Sequence, residues 1–359
     1  MTAHSSILLQ DPKLAPPTLR SEFQRDTTDA EWSQLKEKIL SDFGNRMTPE
    51  FLVPEDLKER TLFWFDVYAR YGEAHHIIHH VRYPWVVFKV VDTTAILNSG
   101  KGPLWLRRDR AQKLAKKEAQ AVRESLRRLA RRKNFHALNA SERDLLDKLS
   151  ILPGPRHKVL KMAAENVRSQ LGQRDFFQRG LTVSSRYLPY MEEEFRRLGT
   201  ATEITRLPFV ESSFNEAAYS KVGASGIWQI MPRTGKAYMI VNDHIDERNS
   251  PLKATAAAGS LLRSYFRALG SWPLALTAYN HGIGNIQKAI QKARSRDLAE
   301  IIARYHQGDF RFASSNFFTC FLAALYAEKY HELLFKDVPR DPFQEREVIR
   351  LGGTTARGT

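Results

Sequence analysis

The stretch LPFVESSFNEAAYSKVGASGIWQIMPRTG, residues 207–235, decides how this chain is read. It sets a single carboxylate, Glu211, at the end of an apolar run and directly before two serines. A carboxyl group pressed against apolar neighbours keeps its proton to higher pH, because burial disfavours the charged form. A general acid working near neutrality requires that property. The ordinary alternative is a solvent-facing Glu at a helix end, and taken alone Glu211 favours it.

The surroundings shift the balance. Gly223 and Gly226 flank small residues in GASGIWQIMP, so backbone there is able to approach a neighbour or a ligand closely. Gln229 is a neutral donor and acceptor inside an apolar run, the kind of group that fixes a sugar amide or hydroxyl. Further on, TAYNHGIGN puts Tyr279 and Asn280 at a helix end before two glycines, where side chains project into a cleft. Trp228 and Tyr279 also read as plain core aromatics.

Outward from this stretch, 359 residues with 42% apolar content fit one large domain or two modest ones with a real core, and exclude a disordered chain. The one cysteine, Cys320, lies in the apolar run FFTCFLAALY and reads as a buried, inert thiol. No run approaches the length of a membrane span. The opening MTAHSSILLQDPKLAPP lacks the basic and apolar regions of a signal peptide, which taken literally favours the cytoplasm.

The second half is helical, with Gly and Pro marking the turns: SSRYLPYMEEEFRRLG, TAAAGSLLRSYFRALG, WPLALTAYNHG and SNFFTCFLAALYAEKY follow one another with little strand signal. Upstream, DAEWSQLKEKILSDFG reads as a short helix. PEDLKERTLFWFDVYARYG reads as another, with Leu57, Phe63, Val67 and Tyr71 at helical spacing. YPWVVFKVVDTT reads as a strand or hairpin element. Ser141 is a candidate cap for the helix at SERDLLDKLS, with Asp144 three residues on. A further helix is expected from Pro155 to Gly172.

The formal charge of +15 is concentrated. Between Lys101 and Lys133 there are 13 Lys and Arg against Asp109, Glu118 and Glu124, a net +10. Residues 107–133 are expected to form one long helix, with Ala115, Ala119, Val122, Leu126 and Leu129 as a narrow packing stripe inside a basic surround. Such a face implies an anionic partner. Nucleic acid is disfavoured because no recognition motif surrounds the helix. In EAHHIIHH, His75 and His79, or His76 and His80, stand four apart and would share one face of a helix. With no Cys and only Glu73 as a loose third ligand, a metal site is not expected.

ESSFNEAAYSKVGASGIWQIMPRTG followed by ALTAYNHGIGNI resembles the lytic transglycosylases of the lysozyme-like superfamily, closest to the membrane-bound lytic murein transglycosylase D family. The likeness rests on Glu211-Ser212, on the block Gly226 to Pro232, and on Ala278-Tyr279-Asn280, and covers about residues 175–335. Two departures are Ser225, where Ala is commoner, and DERNSP, which replaces a more acidic loop.

The resemblance implies a mainly α fold: a lysozyme-like helical catalytic domain over 175–335, preceded by a mostly helical accessory domain over 51–174 with a short strand element. An extended or partly ordered segment over 1–50 and a tail over 336–359 flank them. It implies cleavage of the β-1,4 bond between N-acetylmuramic acid and N-acetylglucosamine in peptidoglycan without water, leaving 1,6-anhydro ends. Glu211 would act as acid and then as base, with no cofactor and no metal. Ser212 and Ser213 would tether the substrate or the Glu, while Gln229 and Asn280 position N-acetyl or hydroxyl groups. Tyr279 would hold the Glu or the muramyl residue, and Trp228 would pack beneath the site. The implied partner is the peptidoglycan glycan strand, with the basic helix 107–133 toward anionic murein or lipid. The implied location is the bacterial periplasm or the outer membrane, with a signal already removed. A murein-binding scaffold with a dead site and a hydrolytic muramidase are the competing readings.

Overall fold

The computed structural model describes residues 28–305 and 310–342, so the expectations for the first 27 residues and for the tail beyond 342 lie outside the described residues. The chain is mainly α with one three-stranded sheet. Helix α1 (Asp29–Leu40) starts in a capping box between Thr28 and Glu31. Helix α2 (Lys58–Ala69) is buried on nearly all sides from Arg60 to Ala69, as expected of a helix apolar all round. Two of its charged side chains are paired: Arg60 donates to Asn316 Oδ1 and to the Arg82 carbonyl, both at 2.9 Å. Asp66 accepts from Trp32 Nε1 at 2.6 Å and from Lys36 at 2.7 Å.

Strand β1 (His75–His80) is central in the order β2-β1-β3, paired antiparallel on both sides, with β2 at Val87–Asp92 and β3 at Val167–Leu171. Between β2 and β3 run α3 (Thr94–Leu97), α4 (Leu104–Arg131), α5 (Ala140–Lys148) and α6 (Arg156–Glu165). The sheet partitions two hydrophobic cores. Alternation along β1 sends Ile77 into the larger and Ile78 into the smaller, the latter shared with Phe88, Val122, Leu126 and Leu160.

Three sequence expectations are corrected here. EAHHIIHH is strand, not helix, so the i, i+4 histidine pairs do not share a helical face. The helix expected to reach Gly172 ends at Glu165, and VRSQL turns into β3 because β1 needs a second hydrogen-bonding edge. At the end of β3 the backbone passes so close that a Cβ on Gly172 would stand 2.3 Å from the Tyr71 carbonyl oxygen. The cap of α5 is Asn139, boxed with Glu142, rather than Ser141. The basic helix forms as expected: all five stripe residues of α4 are buried, joined by Ala111.

The rest is helical: α7 (Arg174–Ser184), α8 (Leu188–Arg197), α9 (Leu207–Glu211), α10 (Pro232–Gly235), α11 (Pro251–Leu269), α12 (Trp272–His281), α13 (Ile283–Ala293), α14 (Leu298–Arg304), α15 (Phe312–Lys329) and α16 (His331–Leu334). Helix α15 is the axis of the larger core and packs against α2, α9 and α12. Helix α2, drawn from the segment upstream of residue 174, therefore completes the core on which α9 rests. A buried ion pair ties the two: Arg206, just before α9, donates to Glu328 of α15 at 2.9 Å. Burial alone would raise the Glu328 carboxyl, but the Arg206 guanidinium outweighs it and holds the group below its ordinary range.

Candidate active site

Helix α9 is a single buried turn opened by Pro208 near its start. The turn stops at Glu211 because the backbone reverses. Ser212 N–H donates to the Pro208 carbonyl at 3.0 Å, and Phe214 N–H donates to the same oxygen at 3.2 Å. Ser213 and Phe214 take φ of 51° and 55°, a left-handed pair without glycine that costs about 1–2 kcal/mol per residue. Burial of the Phe214 ring edge-on to Phe209, centroids 4.8 Å apart, offsets that cost. Phe209 in turn stacks on Phe177 of α7 at 4.5 Å. Glu211, 5% exposed, is thus held at a rigid corner.

The loop after the corner is fixed to it by side chains that sequence singled out. Ser212 Oγ donates to the Ile227 carbonyl at 2.9 Å, tying α9 to the loop. Ser213 Oγ lies 3.4 Å from the Phe209 carbonyl. Gln229 also has a left-handed φ, 48°, and its amide nitrogen donates to the carbonyls of Gly226 at 2.9 Å and Ala218 at 3.2 Å. Any contact from Gln229 to a sugar donor therefore falls to Oε1. Trp228 is fully buried beneath the corner, stacked on Phe195 at 5.7 Å and donating to Thr255 Oγ1 at 3.0 Å.

From α12, Tyr279 donates its hydroxyl to the Trp228 carbonyl at 2.7 Å. Burial first, then the nearby Glu211 charge, holds this phenol protonated far above its usual range. Asn280 faces the other way: its Oδ1 lies 3.4 Å from Ser314 Oγ of α15, which also meets His281 Nδ1 at 2.9 Å. Glu211, Ser212, Trp228, Gln229 and Tyr279 are therefore linked through one loop, whereas Asn280 is linked to α15.

Sequence reasoning missed Arg248, which it passed over inside DERNSP. This buried guanidinium donates to the carbonyls of Gly223 at 2.7 Å and Ile230 at 2.9 Å, and binds Asp246 at 2.6 Å. It cross-braces the loop from below. Gly226 closes over it with φ 73°, and a Cβ there would stand 2.0 Å from the Arg248 carbonyl oxygen. Ser225, the departure from Ala, donates to Asn249 Oδ1 at 2.6 Å and joins the same brace. Three of the acids that follow Glu211, namely Glu216, Asp246 and Glu247, are engaged in their own loops. Glu216 is bound by the Tyr187 hydroxyl and lies 3.9 Å from Arg186, while Asp246 is held by Arg248. Glu247 accepts from the Ile240 N–H at 2.7 Å.

This corner, loop and α12 lie inside the segment that matches the transglycosylase SLT domain, residues 192–302. Over 112 residues the chain is 33% identical to membrane-bound lytic murein transglycosylase D of Escherichia coli, in strain K12 and in strain O6:H1 alike. That alignment takes in 31% of this chain and 25% of either relative, so the chain spans about a quarter of their length. A solved structure, the 70 kDa soluble lytic transglycosylase SLT70 from Escherichia coli, aligns over 86% of this chain and 55% of its own. At 14% identity and a TM-score of 0.31 that alignment carries no argument. Helices α2, α7 and α15, which complete the core under Glu211, lie outside the matched SLT residues.

Among the described residues no cluster of three or more His, Cys, Asp or Glu side chains is arranged to hold a metal. No described helix is long and apolar enough to cross a membrane.

Proposed function

We propose that the chain is a lytic transglycosylase of peptidoglycan, with Glu211 as its catalytic group. The observation that carries this reading is a buried carboxyl at a braced corner of the SLT domain, beside a phenol that stays protonated. In the reaction, Glu211 gives its proton to the glycosidic oxygen as the bond from that oxygen to C1 of N-acetylmuramic acid breaks. The resulting carboxylate then takes the proton of the muramyl C6 hydroxyl while O6 bonds to C1. Proton and charge balance without water, and one carboxylate suffices. A hydrolytic muramidase needs a placed water and, in the two-carboxylate glycosidases, a second acid; Glu216, Asp246 and Glu247 are engaged elsewhere.

Ser212 and Gln229 hold the loop through their own bonds, so their part in this reading is positioning, with Oε1 of Gln229 facing an N-acetyl or hydroxyl donor. Tyr279 and Trp228 support the corner, and Ser213 and Asn280 border it. We further propose that residues 175–335 form the catalytic domain, 51–174 an accessory one, and that the chain works in the bacterial periplasm or at the outer membrane. The exposed basic residues of α4, among them Lys116, Lys117, Arg127 and Arg128, would hold it to the carboxylates of murein.

The test is digestion of purified peptidoglycan with the wild type and with Glu211→Gln, followed by mass analysis. Anhydro-ended muropeptides from the wild type alone support the proposal. Reducing-end products would make the protein a muramidase, and products from neither would leave a binding role.

A further inference from the structure

Arg168 stands on β3, upstream of the SLT segment, with its guanidinium carbon 4.3 Å from the centroid of the Phe312 ring at the start of α15. Two residues further along α15, Ser314 meets Asn280 Oδ1 at 3.4 Å and His281 Nδ1 at 2.9 Å. Arg168 therefore flanks the candidate site on its Asn280 side. Stacking on Phe312 fixes the plane of the guanidinium but satisfies none of its N–H groups. Among the described residues, no carboxylate pairs with Arg168, no acceptor takes a side-chain hydrogen bond from it, and its Nε is buried without a partner. Burial pulls this guanidinium below its ordinary range, with no acid to set it back.

The contrast with other buried arginines is direct. Arg206 has Glu328 and Glu192, and Arg248 has Asp246. Around Arg168 the field is positive instead. Arg60 is held there by neutral groups, Asn316 Oδ1 and the Arg82 carbonyl. Burial takes His79 down to about 3, and the charges of Arg168 and Arg60 push it the same way. The first turn of α15 adds the positive end of an 18-residue helix. A half-buried guanidinium with open N–H groups in such a field fits a carboxylate, which it binds through two parallel hydrogen bonds. Resting on the lytic reading above, we propose that Arg168 binds a carboxylate carried on the side chain of a muramyl residue, either on its peptide stem or on a bare lactyl group. The upstream segment then contributes to the SLT domain a contact that distinguishes murein from an uncharged glycan.

The test is calorimetric binding of three glycan fragments of equal length to the full chain. One is a murein fragment with its peptide stems, one is the same fragment with free lactyl groups and no peptide, and one is a chitin oligosaccharide without carboxylates. Arg168→Gln removes the charge, and Arg168→Lys keeps the charge but loses the planar fork. Arg168→Gln is expected to weaken binding of a carboxylate-bearing fragment roughly 10- to 100-fold and to leave chitin binding unchanged. Loss on the peptide-bearing fragment alone assigns the contact to the stem, and loss on the peptide-free fragment assigns it to the lactyl group. Should Arg168→Gln not fold, Arg168→Lys decides the matter, with an expected loss of about 3- to 10-fold on the carboxylate fragments only. Unchanged affinity for both carboxylate fragments, or an equal loss on chitin, overturns the proposal. So does a wild type that binds those fragments no more tightly than chitin. Binding is read without turnover, so a wild type that releases no anhydro product sinks the lytic reading, while the binding differences decide the role of Arg168.

Discussion

The corner at Glu211 depends on backbone that ordinary residues resist. Ser213, Phe214 and Gln229 all sit at positive φ without being glycine, and such strain persists only where surrounding contacts over-determine it. Gly226 shows the same dependence from the other side. Gly226→Ala must place a methyl group against the Arg248 carbonyl oxygen in a left-handed conformation. The expected cost is roughly 2–4 kcal/mol, read as a lower denaturant midpoint with an unchanged slope. Because the brace passes from Gly226 through Gln229 to the loop over Glu211, activity should fall further than the loss of folded protein explains. A variant as stable and active as the wild type would remove the brace from the account. At this scale Glu211, Ser212, Gln229 and Tyr279 were legible as types at suggestive spacing. Arg248 was not, because a guanidinium in a polar loop looks like a solvated surface charge until burial and partners are known.

Among the elements, β1 carries a consequence of its own. His76, His79 and His80 are buried on the central strand and held neutral, chiefly by desolvation, with pKa values of about 4, 3 and 4. His79 lies between Phe63 and Phe312 with Arg168 and Arg60 near, His80 is near Arg82, and His76 is near His75. Unfolding below about pH 6.5 lets each take up a proton that the folded chain refuses, so the unfolded state binds more protons there and stability falls with pH. Each contributes a slope approaching about 1.4 kcal/mol per pH unit between 6.5 and its folded value. The melting temperature should therefore drop between pH 7.5 and 5.5, above the carboxylate range, and His79→Leu should flatten the slope. An equal slope in the variant would assign the dependence elsewhere.

Helix α4 makes a second prediction. Retention of the protein on insoluble murein should weaken as salt rises, and Lys116→Glu with Lys117→Glu should release it at lower ionic strength, with digestion of soluble glycan fragments unchanged. Salt-independent retention, or equal loss on uncharged chitin, would argue against the basic face. The α4 stripe was readable because one face of an exposed helix repeats cleanly. Strands β1 and β3 were not: both faces of β1 are covered, so apolar and polar residues do not alternate, and its histidines count as polar in any pattern.

At the scale of the whole molecule, the SLT segment does not own its core. Helices α2 and α15 pack together from opposite ends of the chain, and α2 presents buried side chains on nearly every side. Residues 175–335 expressed without α2 should therefore lose near-UV circular dichroism and bind hydrophobic dyes, while the described span 28–342 unfolds in one cooperative transition. A well-packed 175–335 fragment would show that α2 is dispensable. By itself, the sequence determined the helical class, the long basic helix and the carboxylate with its Gly-flanked Trp-Gln block and Ala-Tyr-Asn turn. Those signals are local, set by spacing along one element or by residue types within a few turns. Only the tertiary structure decided that β3 pairs with β1, that Arg248 braces the loop and that α2 packs on α15 beside α9. Each of these joins residues far apart in the chain, through burial and hydrogen bonds that no local pattern encodes.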